Sequence, residues 1–346
     1  MPATNLKKTG RFQQPPKGPI QLKPAHLNHL QRCLDPAQSI PLPIRPEGGA
    51  SSATDCHITT TGTTVQTTGL DRIVNIDAYN HTVTAEAGVP LNALVQALAQ
   101  QGLELIGGYE LQGRTVGGAI SAPCFGPSIG NRGSYFSSHV AALKIVTADG
   151  RLLKVDSTQK NLLASFRMSF GLLGVIYEAT LKVRPIRTFS ASHRRVSIDK
   201  FADIVDTLSM SDVGFKFYLM PYRDRVYLDL RRYDADASSA LRAPWKLKDW
   251  GESTVLPHVF KSVNRLVPIA KVKYGIIDSI SEATQGLVNS RLVSAGSNAA
   301  SQSRVGGKPG GRRRFYSTWC FPAANFSMVA KAYREFSARI WDQSQY

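Results

Sequence analysis

Between Thr82 and Ala87 the chain alternates Thr-Val-Thr-Ala-Glu-Ala, the two-residue period of a half-buried strand. Gly88 breaks the alternation, and Pro90 suits a first helical turn. Leu91, Leu94, Val95 and Leu98 then recur at helical spacing until Gly102, and residues 103–106 (LELI) read as another strand. Residues 82–106 therefore predict a β-α-β unit. Upstream, Leu27, Leu30 and Leu34 share one face of a short helix after Pro24. A short apolar strand is expected from Ile40 to Ile44, ending at Arg45, and another over 73–77 (IVNID). Residues 139–155 (HVAALKIVTADGRLLKV) predict a β-hairpin turning at Asp149-Gly150. A short helix from Asn161, a glycine break and an apolar strand ending at Pro185 follow.

After about residue 186 the composition changes. Residues 197–212 are helical in pattern, 215–234 form an alternating hairpin, 315–322 (FYSTWCFP) a strand and 325–342 an amphipathic helix. A low-complexity Gly/Ser/Arg stretch occupies 294–314, and no internal repeat is present. The expected organisation is a flexible basic tail over 1–22, one domain over 23–186 and a second over 187–346.

With 346 residues, 42% apolar and 19% charged, the chain can bury the core of two domains, and wholesale disorder is excluded. No apolar run approaches the ~18 residues of a membrane span. The basic start, MPATNLKKTGRFQQPPKGP, has no apolar segment after it and does not read as a secretory signal. Cys33, Cys56, Cys124 and Cys320 are scattered without a CxxC pair. That argues against a disulfide scaffold or a metal site and favours a reducing, cytoplasmic setting. The formal charge of +17 favours anionic partners, but much of it is local, in Lys7, Lys8 and Arg312–Arg314. Solvated basic loops account for such runs, no nucleic-acid partner is expected, and peripheral contact with anionic surfaces is the remaining use.

Two glycine clusters carry the candidate chemistry. In the first, Glu47, Gly48, Gly49, Ala50, Ser51 and Ser52 follow a short strand. Consecutive backbone N–H groups in such a turn make a nest for phosphate oxygens, although loops of this composition are also plain turns. No Gly-Lys-Ser/Thr follows, so it is not a P-loop, and no G-x-G-x-x-G opens a helix. In the second, Thr115, Gly117, Gly118 and Ser121 lie in TVGGAIS, with Gly126, Gly130 and Gly133 beyond. So little side-chain bulk would let a flat, extended ligand lie along the main chain. A close-packed turn is the alternative.

Together, PEGGASS, LDRIVNID, HTVTAEAGVPLNALVQALAQQGLEL, GRTVGGAISAPCFG, VAALKIVTADGRLLKV and FGLLGVIYEATLKVRP resemble, in this order, the flavin domain of the vanillyl-alcohol oxidase-type (PCMH-type) FAD oxidoreductases. The resemblance covers roughly half the chain, about residues 25–186. It implies an α+β fold: a two-subdomain FAD-binding domain followed by a mixed-sheet substrate domain covered by helices. It also implies that Glu47 to Ser52 bind the FAD diphosphate, that Thr115 to Ser121 line the isoalloxazine and ribityl chain, and that Gly174 to Ile176 meet the adenine. Many members bond flavin covalently through a first-loop histidine; here Ala50 stands there, which implies non-covalent FAD. Phe125-Gly126 replaces another common His-Gly, and Cys124 beside it reads as a small buried thiol.

Within the family the chain is most similar to aldonolactone and alditol oxidases and to decaprenyl-phosphoryl ribose oxidases. This implies a sugar, sugar-lactone or polyol substrate, a base that removes its hydroxyl proton, hydride transfer to flavin, and oxygen or another electron acceptor. No catalytic residue is assignable: 315–322 lacks the carboxylate often seen there. Tyr218, Arg223 and Arg231 read as ordinary exposed strand residues, and His57, His81 and His139 as loop or strand-end residues. Relatives continue for about another hundred residues, so the substrate domain is expected to be C-terminally incomplete. A flavin-binding fragment without turnover is the second expectation.

Overall fold

The computed structural model describes residues 19–52, 59–106, 113–126, 128–129, 135–211, 213–219, 225–234, 255–285, 293–295, 319 and 321–341. Three sheets organise them.

The first sheet is parallel, with β3 (Thr63–Gln66) between β1 (Ile20–Leu22) and β2 (Ile44–Glu47). Two expectations change here. Ile20–Leu22 was placed in the tail, yet it is a strand, its Ile20 opposite Thr63. The strand expected at Ile40–Ile44 begins at Ile44 instead. Pro41 and Pro43 have no N–H to give a ladder, and the regular pairing with β3 starts beyond them, although the Pro43 carbonyl accepts from Thr63 N and Pro46 is tolerated inside this edge strand. α1 (Leu27–Leu34) buries Leu30, Cys33 and Leu34, as its leucine spacing predicts.

The second sheet runs β4 (Ile73–Asp77), β5 (Thr82–Glu86), β10 (Val175–Pro185), β8 (Val140–Val146), β9 (Leu152–Asp156), with β6 (Leu103–Leu105) also paired to β10. Every pairing in it is antiparallel. β5 and β6 both oppose β10 and so run parallel to each other, joined by α2 (Leu91–Gln100). The hairpin turn falls at 147–151, where Gly150 takes φ +78° and donates to the Thr147 carbonyl. Strand alternation makes this sheet a wall between two cores. Ile145 and Ile176 face a large core with α2 and α4 (Lys160–Phe166), while their neighbours Val146 and Val175 join Leu30, Leu34 and Val65 on the other side.

The third sheet is antiparallel, in the order β14 (Val293–Ala295), β11 (Thr188–Val196), β13 (Val226–Asp234), β12 (Val213–Leu219), β7 (Ser128–Ile129). Leu228, Phe217 and Val196 on one face pack with α5 (Ile198–Met210) and the last helix, Phe326–Trp341. The rings of Phe201, Phe217 and Phe326 meet there, with Phe201 and Phe217 centroids 4.7 Å apart. α6 (Leu256–Leu266) and α7 (Ala270–Gln285) lie between β13 and β14 in the sequence, and α7 covers part of the opposite face, where Arg195 meets Glu282 at 3.3 Å. The helical patterns at 197–212 and 325–342 thus become α5 and α8 (Phe326–Trp341). Within the expected strand 315–322, residues 315–318 and 320 fall outside the described residues, as do Arg223, His57 and Arg312–Arg314. β7 comes from the glycine-rich segment itself, so that segment ties the second and third sheets together.

Candidate functional site

The first glycine loop leaves β2 at Glu47. Gln66 Nε2 donates to the Glu47 carboxylate at 3.2 Å, and Thr67 Oγ1 donates to its carbonyl at 3.1 Å, so the strand end is held from both sides. Gly48 and Gly49 then run against the second glycine segment. A methyl on Gly48 would overlap Thr115 Oγ1, and one on Gly49 would overlap the Gly113 carbonyl oxygen. Ala50 adopts φ +49°, a left-handed turn on an L-residue. The amide N–H groups of Gly49, Ala50 and Ser51 donate no hydrogen bond among the described residues. Gly49 and Ala50 are exposed and Ser51 is half-buried. Successive free donors around a left-handed residue are the geometry of an anion nest.

The second segment departs from the extended ligand path expected over Thr115 to Ser121. Val116–Ser121 is a helix, α3, capped by Thr115, whose Oγ1 accepts from Gly118 N at 3.3 Å. Its main chain is committed to the protein. Val116 N donates to Val89 O at 2.9 Å, Gly117 N to Ala87 O at 2.8 Å, and Ala119 N to Thr115 O at 2.9 Å. A methyl on Gly117 would lie 2.8 Å from Ala87 Cβ. Gly117 therefore serves close packing onto β5's end, the turn alternative, while Gly118 faces outward. Two glycines in a six-residue helix oppose helix propensity, and tertiary hydrogen bonds override it.

Beneath α3, Glu86 carries a buried carboxylate. Arg72 donates to it from its backbone N at 3.0 Å and from its guanidinium at 2.7 Å, and Tyr177 OH donates at 3.0 Å. Burial opposes the Glu86 charge, but these donors outweigh it and hold the carboxyl below its usual range; burial and the same carboxylate push Tyr177 up. This brace fixes Ala87, whose N–H donates to Tyr177 O, and hence the floor on which Gly117 sits.

The third segment closes on the other two. Met168 N donates to Ile120 O at 2.9 Å and Phe170 N to Ser121 O at 2.8 Å. Gly171, at φ +74°, lies against the Pro46 ring. Gly174 takes φ +138°, and a methyl there would lie 2.7 Å from Val146 O. Ile176, the last of the expected contact residues, is buried opposite Ile145. Segments 44–51, 113–121 and 168–176, far apart in the sequence, thus meet at one place. Leu172 in the third segment and Phe125 just after the second are both exposed, and the Phe125 ring meets Tyr135 edge-on at 6.2 Å.

Residues 20–156 match the family model described as an FAD binding domain. An FAD-binding domain thus occupies the part of the chain that carries the first sheet and most of the second. It is 31% identical over 182 residues to L-gulono-1,4-lactone dehydrogenase of Mycobacterium tuberculosis, covering 53% of this chain and 41% of that protein. To D-arabinono-1,4-lactone oxidase of Yarrowia lipolytica it is 26% identical over 292 residues, covering 78% and 54% respectively. The chain thus spans about half or less of these relatives' lengths. Cholesterol oxidase from Brevibacterium sterolicum shares the fold, with TM-score 0.65 over 93% of this chain and 65% of that one, at 15% identity.

The remaining candidates fall out as follows. Cys124 is a buried core residue without a disulfide, in keeping with the small-thiol reading. His81 sits in a turn at φ +52°, and His139 is buried at the end of a single helical turn. Arg231 is not an exposed strand residue. Its side chain is 11% exposed and its guanidinium lies 3.4 Å from Asp229. His193, directly opposite Asp229, is buried too and stacks on Tyr227 at 5.4 Å. Burial, reinforced by nearby Asp229 and Glu282 and opposed by Arg195, pushes Tyr227 up to about 12. Burial works against the Lys216 charge, but Tyr218 and Asp229 more than offset it and raise its pKa. The sequence shows the alternation Val226-Tyr227-Leu228-Asp229-Leu230-Arg231, which marks a polar face. It does not show that α7 covers that face. Among the described residues this face meets α7 where Arg195 pairs with Glu282.

Proposed function

We propose that this chain is the flavin-binding part of an oxidoreductase that oxidises a CH–OH group of a sugar, sugar lactone or polyol. The observation that carries this reading is the loop of three consecutive amides at Gly49, Ala50 and Ser51, which donate no hydrogen bond among the described residues, pressed against Gly113 and Thr115. It is a cradle for a diphosphate, with no room for side chains where the two segments touch. The donor set fits FAD: backbone N–H groups for the diphosphate and exposed apolar groups near a flat ring system.

FAD supplies the hydride acceptor. The chain's part is to bind and orient it. Gly49 to Ser51 would hold the diphosphate through their amides, Thr115 to Ser121 would border the ribityl chain and ring, and Gly174 to Ile176 would meet the adenine. No histidine stands at Ala50, so the cofactor is held without a covalent bond through this loop. Residues 20–186, with β1 included, form the cofactor domain in this reading, and 187–346 contribute to the substrate side. The relatives' names point to aldonolactones as the first substrates to try, with oxygen or a carrier as the final acceptor.

The test has two readings. Acid precipitation of the purified yellow protein leaves flavin in the supernatant if the Ala50 inference holds; colour in the pellet overturns it. Anaerobic addition of L-gulono-1,4-lactone, D-arabinono-1,4-lactone or a polyol bleaches the flavin band if the chain turns over. No bleaching by any of them, in protein shown to hold FAD, overturns the oxidation reading and leaves a flavin-binding protein.

A further inference from the structure

The stretch from Leu256 to Ile277 contains Lys261, Arg265, Lys271 and Lys273 and no Asp or Glu. In the fold it is α6, the three-residue corner 267–269 and the first half of α7. At that corner three aliphatic side chains stand in solvent: Leu266 is 74% exposed, Ile269 63% and Val272 49%. Val267 N donates to Val263 O, and Lys273 N donates to Ile269 O, so helical backbone runs up to both sides of the corner. Residues three apart on such backbone are neighbours, which sets Ile269 beside Val272. Lys261 and Arg265 on α6 are exposed as well. The acidic groups of α7 are withdrawn from this end. Asp278 and Glu282 are 1% and 3% exposed in its second half, and Glu282 faces Arg195 of the third sheet.

An aliphatic tip among cations, with both acidic groups of α7 buried, is complementary to one surface in particular. Aliphatic groups gain by leaving water for the acyl boundary, and Lys and Arg gain beside anionic headgroups. A polyanion such as nucleic acid would engage the cations and leave Leu266, Ile269 and Val272 wet. We propose that the α6–α7 corner docks on anionic lipid bilayers, so that the protein works at a membrane surface. This goes beyond the redox reading and does not depend on it. Among the described residues no helix is long and apolar enough to cross a membrane; the contact lies in the interface.

The experiment is co-sedimentation of the full chain with vesicles of phosphatidylcholine, with or without phosphatidylglycerol. Binding is expected only to the phosphatidylglycerol vesicles, weakening as salt rises. Lys261→Ala and Arg265→Ala should each lower partitioning about fivefold. The double variant Leu266→Glu/Ile269→Glu should lower it by at least about tenfold, since each methylene withdrawn from the lipid boundary is worth about fourfold. Both sites are exposed, so melting temperature and flavin absorbance should match the parent, which keeps a folding failure separate from a docking failure. Replacing Arg312, Arg313 and Arg314 by Ser should leave binding in place. The proposal is overturned if phosphatidylglycerol vesicles do not bind at low salt, or if the double Glu variant binds as the parent does. It is also overturned if binding is lost with Arg312–Arg314 instead, or if the double Glu variant abolishes only a self-association seen without vesicles.

Discussion

Consider Gly49→Ala. The added methyl would overlap the Gly113 carbonyl oxygen, with the carbonyl carbon 3.0 Å away. The obstacle is backbone, on a residue itself at φ +65°, and cannot swing aside as a side chain would. The 48–51 loop must lift away, carrying the three amides with it. A hydrogen bond to a charged acceptor contributes about 1.5–3 kcal/mol. Losing one weakens FAD binding by roughly 10- to 150-fold. The loop is exposed and can move into solvent, so folding stability should change by less than about 1 kcal/mol. The assay is FAD titration of the apoprotein by fluorescence quenching, with a thermal melt of the same sample. Ala50→Gly is the control: it removes a left-handed alanine worth roughly 1 kcal/mol and should leave FAD affinity within about twofold. If Gly49→Ala binds FAD as the parent does, these amides do not hold the diphosphate.

Other outcomes follow from the same geometry. Glu104→Gln leaves Arg184, now 2.7 Å from that carboxylate and nearly as buried, without its charge partner; a loss of about 3 kcal/mol should appear as a lower urea midpoint. The depressed Glu86 pKa adds stability that is fully present above the ordinary glutamate range, about pH 4.5, and is lost as pH falls through the lower folded-state value. Melting temperature followed from pH 6 to 3 should therefore fall more steeply for the parent than for Glu86→Gln, and parallel curves would refute the Arg72–Glu86–Tyr177 brace. Gly174→Ala meets both a φ of +138° and the Val146 carbonyl, and should cost about 1–3 kcal/mol by chemical denaturation.

How far the chain was legible depended on how local the deciding forces are. α1, α2, α5 and the last helix announce themselves because buried positions three and four apart repeat along one segment. The hairpin at Asp149-Gly150 does so because Gly150 must take positive φ. The order of the glycine motifs carried the family reading, since each needs its small residues whatever surrounds it. The strand starting at Ile44 lies a few residues beyond the apolar run that suggests it, because its ends are set by pairing with Thr63–Gln66 and not by its own pattern. Ile20–Leu22 leaves no mark in the pattern, because a three-residue edge strand has no period of its own and its partner, Thr63, lies some forty residues away.

The sequence by itself determined an α+β chain with an FAD-binding first half, along with where most helices and hairpins lie. Tertiary structure decided the rest. α3 is helical despite Gly117 and Gly118 because Ala87 and Val89 supply its hydrogen-bond partners from another element. The polar face holding Asp229 and Arg231 is withdrawn from solvent, and it meets α7 through the Arg195–Glu282 pair. The loop at Gly49 becomes a cradle only because Gly113 and Thr115 are brought against it. In each case the controlling contact joins residues distant in the chain, and no local pattern can record which surfaces will meet.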